Sequence, residues 1–281
     1  MRYVSFLKNG ATHVGVREGQ QLRVLGAFTM EQLLRDGVDL NAFALERHSG
    51  EMIDVDAITF LPPLSRPPKI ICIGLNFADH TAESNFVQPD YPTIFLRVHT
   101  SLVAHDAPIV KPRLSDSLDY EGEIAVVMKK GGRYIGKDDA LDYVAGYSLF
   151  NDGSVREYQF KTPQWTVGKN FDATGAFGPE LVTPDELPEG VRGLRLETLL
   201  NGKVVQSANT EDMVFDVASL ISITSEAITL EPGDVIVSGT PSGIGWAREP
   251  QLFMKGGDTC EVRVEGLGVL RNRIVDETPV A

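Results

Sequence analysis

Two glutamates separated by a single glycine, Glu121 and Glu123, are the residues of this chain best suited to chemistry. They lie in the segment 118–128, whose second half is rich in Val, Ile and Ala and therefore predicts a buried β-strand. Side chains two positions apart on a strand point to the same face, so the two carboxylates would lie side by side. Because buried carboxylates repel each other, such a pair requires a shared proton, a basic partner or a cation.

A third carboxylate, Asp152, follows the next apolar segment, 143–150. If the two segments form neighbouring strands, Asp152 joins Glu121 and Glu123 in a site made of oxygen ligands alone. Hard ligands of this kind, with no His or Cys among them, suit Mg²⁺, Mn²⁺ or Ca²⁺ better than Zn²⁺. The alternative is that both glutamates lie on a solvated edge strand, where acidic side chains keep sheet edges from pairing.

A candidate general base follows the segment 69–75, whose unbroken apolar sequence is typical of a strand buried on both faces. If the chain becomes helical there, His80 and Glu83 lie three residues apart and can touch. A carboxylate that holds an imidazole is the arrangement that orients a general base. A weak ion pair on an exposed helix surface is the alternative interpretation.

Three further polar residues follow Asp152 along the chain. Arg156 and Gln159 are three residues apart at the start of a predicted short helix, so both side chains could face one ligand. Lys169 lies in the segment 164–179, which is rich in glycine and is predicted to be a long irregular loop. Loops of this length are commonly functional, although a single lysine in a loop is usually solvated.

A glycine-rich turn, 239–245, follows the predicted strand 235–238. No Lys-Ser or Lys-Thr pair follows its glycines, which argues against a nucleotide site. Its backbone N–H groups, together with the hydroxyl of Thr240, could instead bind a small carboxylate.

The composition of the 281 residues excludes several classes of protein. A net charge of -13 argues against nucleic acid and anionic membranes as partners. The two cysteines, Cys72 and Cys260, lie in apolar segments and are predicted to be reduced core residues. The N-terminus has no signal-peptide core, and no apolar segment approaches the ~20 residues of a membrane span, so we predict a cytoplasmic protein.

The order of predicted elements suggests two units. Residues 1–62 contain a hairpin around Asn9-Gly10, a third strand and a short helix after Thr29, which predict a small α+β domain. Four prolines between positions 62 and 68 form a stiff connector, and residues 69–281 make the second domain. His13 and His48 have no cluster of potential ligands near them and are predicted to be surface or hydrogen-bonded side chains.

The second domain resembles the fumarylacetoacetate hydrolase family over roughly residues 69–276. The matching residues are Gly74-Leu75-Asn76-Phe77 with His80 and Glu83, Asp119-Tyr120-Glu121-Gly122-Glu123, Asn151-Asp152 with Arg156 and Gln159, Gly168-Lys169 with Phe171-Asp172, and Ser238-Gly239-Thr240-Pro241 with Gly243 and Gly245. The resemblance implies an α+β fold that is predominantly β, with a mixed β-sandwich roll behind the small N-terminal domain. It also implies a homodimer.

The resemblance further implies a role for each site residue. A Mg²⁺ or related ion would bind Glu121, Glu123 and Asp152, and the catalytic residues would be His80, Glu83 and Lys169. The substrate would be positioned by Asn76, Arg156, Gln159 and Thr240. Three positions depart from the commoner family pattern, namely Arg97, Gly153 and Glu157, and because we expect them to line the pocket they leave the substrate open.

The expected reaction is hydrolysis of a C–C bond in a 2,4-dioxo acid, such as an acylpyruvate or fumarylpyruvate. His80, oriented by Glu83, would activate a water, and the cation would hold the charge of the departing enolate. Decarboxylation of an oxaloacetate-like acid and isomerisation of an unsaturated 2-oxo diacid in aromatic catabolism remain alternatives, because both pass through an enolate. A non-catalytic metal-binding protein is the third alternative.

Overall fold

The computed structural model describes residues 1–47, 50–84 and 86–278, which form a strand-dominated α+β fold. Its strands are β1 (Arg2–Lys8), β2 (Ala11–Glu18), β3 (Gln21–Gly26), β4 (Met52–Asp54), β5 (Thr59–Phe60), β6 (Ile70–Gly74), β7 (Thr93–Arg97), β8 (Leu102–Val103), β9 (Ile109–Lys111), β10 (Leu118–Asp119), β11 (Gly122–Met128), β12 (Val144–Asp152), β13 (Ser154–Val155), β14 (Gly175–Val182), β15 (Arg195–Leu200), β16 (Lys203–Asn209), β17 (Val235–Val237), β18 (Thr259–Val264) and β19 (Gly268–Asp276).

The α-helices are α1 (Met30–Arg35), α2 (Leu40–Glu46), α3 (Ala78–Glu83), α4 (Arg156–Gln159), α5 (Thr166–Lys169) and α6 (Val217–Ala227). Short 3₁₀ helices occupy Val55–Ala57, His99–Ser101, Lys137–Tyr143, Pro184–Glu186, Glu189–Val191 and Thr210–Asp212. Within the described part of the chain, no helix has the length and apolar character needed to cross a membrane.

Two sheets pack against each other. The larger has the order β4-β3-β2-β1-β14-β12-β11-β17-β6-β7, with β5 beside β1 and β8 beside β14. The smaller has the order β16-β15-β18-β19-β9. Every residue of β11 is buried, and alternate side chains face different clusters: Ile124 and Val126 pack with Leu196 and Val262 of the smaller sheet. The predicted sandwich of predominantly β character is therefore confirmed, and its centre is the strand that follows Glu121.

The N-terminal elements follow the predicted order. Asn9 and Gly10 take positive φ angles of 51° and 75° in the β1–β2 turn, and Thr29 caps α1 through its side chain. The helix α2, capped by Asp39, was not anticipated. His13 contacts the carbonyl oxygen of Ala11 through Nδ1, whereas His48 lies outside the described residues.

The N-terminal strands extend the same sheet that carries the carboxylates. In β1, Arg2 pairs with Val182 and Tyr3 pairs with Leu181 of β14. The N-terminal strands therefore continue directly into the centre of the molecule. The division into domains 1–62 and 69–281 stays a prediction.

The loop predicted for 164–179 is wrong in two places. Residues 166–169 form α5, and residues from Gly175 onward form β14, which lies between β1 and β12. Glycine and proline in this segment indicated a loop. In the structure, Gly175 allows the backbone to approach Arg97, since a Cβ there would lie 2.6 Å from the guanidinium Nη2. Close backbone approach, and not a turn, explains this glycine.

Candidate active site

Three buried carboxylates meet where β11 and β12 run side by side. The two strands are antiparallel, with Gly122 opposite Asn151 and Glu123 opposite Phe150, so Asp152 at the end of β12 lies next to Glu121. One oxygen from each carboxylate lies within 4.8 Å of the others. The edge-strand alternative is wrong, because β11 lies between β12 and β17.

Basic side chains compensate two of the three carboxylates. The Lys169 ammonium donates to Glu121 Oε2 at 2.7 Å and to Asp152 Oδ2 at 2.6 Å. Arg156 Nη1 lies 2.7 Å from Glu121 Oε1, and Arg97 Nη1 donates to Asp152 Oδ1 at 2.5 Å. Lys169 is only 1% exposed, so the interpretation of a solvated lysine is wrong.

The remaining carboxylate, Glu123, accepts a hydrogen bond from the backbone N–H of Gly239 at 2.5 Å. Its burial, followed by repulsion from Asp152 and Glu121, raises the pKa of Glu123 well above its usual value. Burial also acts to raise the pKa of Glu121, but the charges of Lys169 and Arg156 outweigh it and lower that pKa to about 2.

This donor set fits a divalent cation. Three convergent carboxylates are hard oxygen ligands, and among the described residues Glu123 has no ammonium or guanidinium within the salt-bridge distances found for its two neighbours. A cation in contact with Glu123 would supply the missing counter-charge. Glu121, Glu123 and Asp152 are therefore the residues that could hold the predicted Mg²⁺, Mn²⁺ or Ca²⁺, and their binding of an ion stays a prediction.

A histidine and a glutamate lie beside the carboxylates. His80 Nδ1 is 3.0 Å from Glu83 Oε1, and both residues belong to α3. His80 is 7% exposed and lines the same cavity as Glu121 and Glu123, so the interpretation of an exposed surface pair is wrong. Because Glu83 engages Nδ1, the other ring nitrogen, Nε2, is the one left to act as a base.

The glycine-rich turn holds the site's own carboxylates. Gly243 donates its N–H to both oxygens of Glu83, at 3.0 and 2.9 Å. Gly245 and Trp246 donate to the two oxygens of Asp119, at 2.8 and 2.9 Å. These N–H groups already bind carboxylates of the protein itself. The prediction that they bind the carboxylate of a small ligand is therefore wrong.

Thr240 lines the cavity, but its hydroxyl is engaged within the protein. Thr240 Oγ1 donates to the carbonyl of Gly122 at 3.1 Å and accepts from Gln206 Nε2 at 2.9 Å. Gln206 also accepts from the N–H of Gly122 at 3.0 Å, so its amide ties the segment between the two glutamates to the turn. A direct contact between Thr240 and a substrate stays a prediction.

Arg156 reaches the cavity with one donor group unused. Its Nε donates to Asp119 Oδ2 at 2.8 Å, and its Nη1 donates to Gln159 Oε1 at 2.8 Å. Arg156 Nη2 is buried and has no hydrogen-bond partner among the described residues. An unpaired buried donor is costly, so Arg156 Nη2 is well placed for an anionic group of a ligand.

Asn76 differs from the other predicted substrate ligands. Its side-chain N–H groups donate to the carbonyls of Phe215 and Ser238, at 3.0 and 2.7 Å, and its Oδ1 accepts from the Phe215 N–H at 2.8 Å. Asn76 is fully buried and is absent from the lining of the cavity. The geometry therefore places it as a connector between the start of α3 and the turns before α6 and after β17.

The three positions that depart from the family pattern do not line the cavity, contrary to expectation. Arg97 is buried against Asp152, and Glu157 is exposed. A Cβ at Gly153 would lie 2.1 Å from the carbonyl oxygen of Thr174, so only glycine fits there.

Two residues with clear positions in this network had no predicted role. Asp119 holds both Arg156 and the turn, and its place in the Asp119-Tyr120-Glu121 motif was the available signal. Gln206 had no comparable signal, because it lies on β16 of the smaller sheet and reaches the site only through sheet packing.

The cavity itself is narrow. Its free volume is about 20 Å³, which accommodates about one water molecule. Charged and polar groups form part of its lining, including Glu121, Glu123 and Lys169. Aromatic side chains form another part, including Phe86, Phe95 and Trp165.

Comparison with known proteins places this arrangement in context. Residues 69–275 match the family model described as fumarylacetoacetate (FAA) hydrolase C-terminal. Oxaloacetate tautomerase Fahd2a, mitochondrial, from Rattus norvegicus is 40% identical over 250 residues, which covers 88% of this chain and 80% of the relative.

Two solved structures are similar over nearly the whole chain. A putative HpcE protein from Mycobacterium smegmatis has a TM-score of 0.87 and 32% identity, and the match covers 99% of this chain and 100% of that one. Maleylpyruvate hydrolase from Sphingobium sp. SYK-6, in complex with manganese (II) ion and pyruvate, has a TM-score of 0.83 and 25% identity with the same coverage.

Proposed function

The chain belongs to the fumarylacetoacetate hydrolase family, and we propose that it catalyses keto–enol tautomerisation of a small 2-oxo diacid, with oxaloacetate as the first candidate. The observation that carries the proposal is the meeting of two groups at one small cavity. The Glu121, Glu123 and Asp152 cluster provides the acidic side, and the His80–Glu83 pair provides a base.

The proposed reaction moves one proton. A divalent cation on the three carboxylates would polarise the oxygens of the 2-oxo acid. His80 Nε2 removes a proton from the carbon beside the carbonyl and returns it to the carbonyl oxygen, which converts the keto form to the enol. Glu83 keeps the imidazole oriented through Nδ1. Lys169 places a positive charge beside the oxygen that becomes negative, and Arg156 Nη2 binds the far carboxylate.

Two observations favour a compact substrate. A cavity of about 20 Å³ must open even for a four-carbon acid, and each added carbon requires further displacement of its walls. The rat relative, which is named an oxaloacetate tautomerase, aligns across most of both chains.

Hydrolysis of a C–C bond in a 2,4-dioxo acid is the second candidate. The same His80–Glu83 pair could activate a water, and the cavity accommodates about one. The structural similarity to maleylpyruvate hydrolase supports this reading. A non-catalytic metal-binding protein is least supported, since stability alone would not require His80 to face the carboxylates.

The test measures all of these reactions on one preparation. Chelator-treated protein is supplied with Mg²⁺, Mn²⁺ or Ca²⁺, and the enol absorbance of oxaloacetate, pyruvate release from oxaloacetate, acylpyruvate cleavage and isomerisation of unsaturated 2-oxo diacids are followed in parallel. We expect cation-dependent tautomerisation to be fastest. No cation-dependent acceleration of tautomerisation would reject the proposal, and rapid acylpyruvate cleavage would then favour the hydrolase.

A matched pair of variants connects the activity to the cluster. Glu123→Gln removes a carboxylate from it, whereas Glu157→Gln removes an exposed carboxylate on α4. We expect only the first to lose activity.

Assembly as a homodimer and a cytoplasmic location remain expectations. Light scattering on the purified protein tests the homodimer.

A further inference from the structure

We propose that Trp165 limits substrate size, because it separates the catalytic cavity from a larger apolar groove just outside it. The inference rests on the proposed function in one respect: it assumes that the substrate's reacting end lies at the carboxylate cluster. It assigns the rest of the substrate to a space that Trp165 closes off.

The two spaces share one wall. The inner cavity has a volume of about 20 Å³ and the outer groove one of about 810 Å³. The residues that line both are Leu75, Phe86, Phe95, Phe160 and Trp165. All five are apolar or aromatic, and four of them are aromatic rings. The boundary is therefore a hydrophobic partition between a polar compartment and an open one.

The indole of Trp165 is held firmly within this partition. Its ring packs edge-on against Phe95, with centroids 5.6 Å apart, and contacts the ring of Phe86 at 6.2 Å. Its six-membered ring also lies on Gly74, where a Cβ would come within 2.3 Å of Cζ3. Gly74 has no positive φ angle that would demand glycine, so space for the indole is the reason for this residue.

The partition is also linked to the catalytic lysine. Trp165 immediately precedes α5, and α5 ends at Lys169. The Lys169 ammonium lies 5.0 Å from the centroid of the Phe95 ring, the same ring that supports the indole. A chain of substrate atoms that leaves the carboxylate cluster in this direction therefore meets the Trp165–Phe95 wall first.

The expected ligands follow from this geometry. Once the cavity opens to admit it, a four-carbon 2-oxo diacid would end on the inner side of the wall, where Arg156 Nη2 has no hydrogen-bond partner among the described residues. A 2-oxo or 2,4-dioxo acid with an aromatic or branched acyl group would have to displace the indole. Without the indole, that acyl group could enter the apolar groove, so removal of Trp165 should extend the range to larger acids.

The test compares two ligand sizes in three variants. We use Trp165→Ala, Trp165→Phe and, as a control two residues further along in α5, Val167→Ala, whose side chain is exposed. The ratio of kcat/KM for an aryl-substituted 2,4-dioxo acid to that for oxaloacetate should rise on the order of tenfold or more in Trp165→Ala. It should rise less in Trp165→Phe and stay unchanged in Val167→Ala.

A binding measurement separates this inference from the proposed function. Calorimetry with Mn²⁺ compares oxalate, which stays inside the wall, with 2-oxo-4-phenylbutanoate, which crosses it. The phenyl compound should bind at least about tenfold tighter to Trp165→Ala than to the natural protein, with oxalate unchanged. If the protein turns over no substrate, the proposed function is rejected. The change in affinity for the phenyl compound relative to oxalate still decides the role of Trp165.

An unchanged ratio in a folded Trp165→Ala protein would overturn the inference, as would equal affinity of the natural protein for both ligands. If Trp165→Ala does not fold, Trp165→Phe decides instead, because its smaller ring still opens part of the partition; a ratio no higher than that of the natural protein would then overturn the inference.

Discussion

At the scale of single residues, Glu123 is the carboxylate with the least compensation. Lys169 contacts Glu121 and Asp152, whereas Glu123 accepts only a backbone N–H in the described structure. Glu123→Gln keeps an oxygen for Gly239 and removes a charge that must otherwise be desolvated. In chelator we expect this variant to gain on the order of 1 kcal/mol in free energy of unfolding.

The same variant should bind metal poorly. Loss of one of three carboxylate ligands should weaken Mn²⁺ affinity by roughly 100-fold, measured by calorimetry. A Glu123→Gln protein that unfolds earlier than the natural protein in chelator, or that binds Mn²⁺ equally well, would contradict this account of the cluster.

Glu83 is predicted to act through His80 and not on the substrate. Glu83→Gln can still accept from Gly243, but it no longer stabilises a charged imidazole. We expect kcat to fall at least roughly tenfold with KM nearly unchanged. Steady-state kinetics on oxaloacetate measure kcat and KM separately. A change confined to KM would point to a structural role for Glu83 instead.

At the scale of elements, the contact between α4 and α5 carries both Arg156 and Lys169 to the site. Gly168 makes that contact possible, since a Cβ there would lie 2.3 Å from the backbone N of Gln159. Gly168→Ala should push the helices apart and move the ammonium away from Glu121. We expect a loss of about 1–3 kcal/mol in unfolding free energy and a strong loss of activity.

Denaturant unfolding and kinetics on the same sample test this prediction. The neighbouring change Val167→Ala provides the control, because its side chain points into solvent. Normal activity in Gly168→Ala would show that the helices tolerate separation and that Lys169 does not depend on their spacing.

At the scale of the whole molecule, the N-terminal strands and the catalytic strands form one sheet. β1 pairs with β14, and Glu180 of β14 is held by Arg2 and Arg17. Removal of residues 1–62 would expose the edge of β14 and the buried side chains of Phe177 and Leu181. We expect the truncated chain to aggregate, and the full chain to unfold in a single transition.

Calorimetry and light scattering on both chains check this expectation. A truncated chain that remains monodisperse, with the melting temperature and activity of the full protein, would show that the two predicted domains are independent despite the shared sheet.

Much of the local structure could be predicted from the sequence. The alternation of Tyr3 to Phe6, the Asn9-Gly10 turn and the Thr29 cap act over a few residues, so local preferences decide them. Local preferences failed to predict β14, because its Gly175 is required by a contact with Arg97. Arg97 is far away in sequence, so no local pattern can reveal that contact.

The residue types and their order along the chain identify the groups that could carry the chemistry, namely three acids, a His–Glu pair and two basic residues. Which hydrogen bonds these groups make depends instead on how distant segments pack together. The folded chain engages both donors of Asn76 and the hydroxyl of Thr240 within the protein, and Arg156 Nη2 has no partner in the part of the chain that the structure describes. The physical reason is that hydrogen-bond partners and free volume arise from contacts between distant segments, which one-dimensional spacing does not encode.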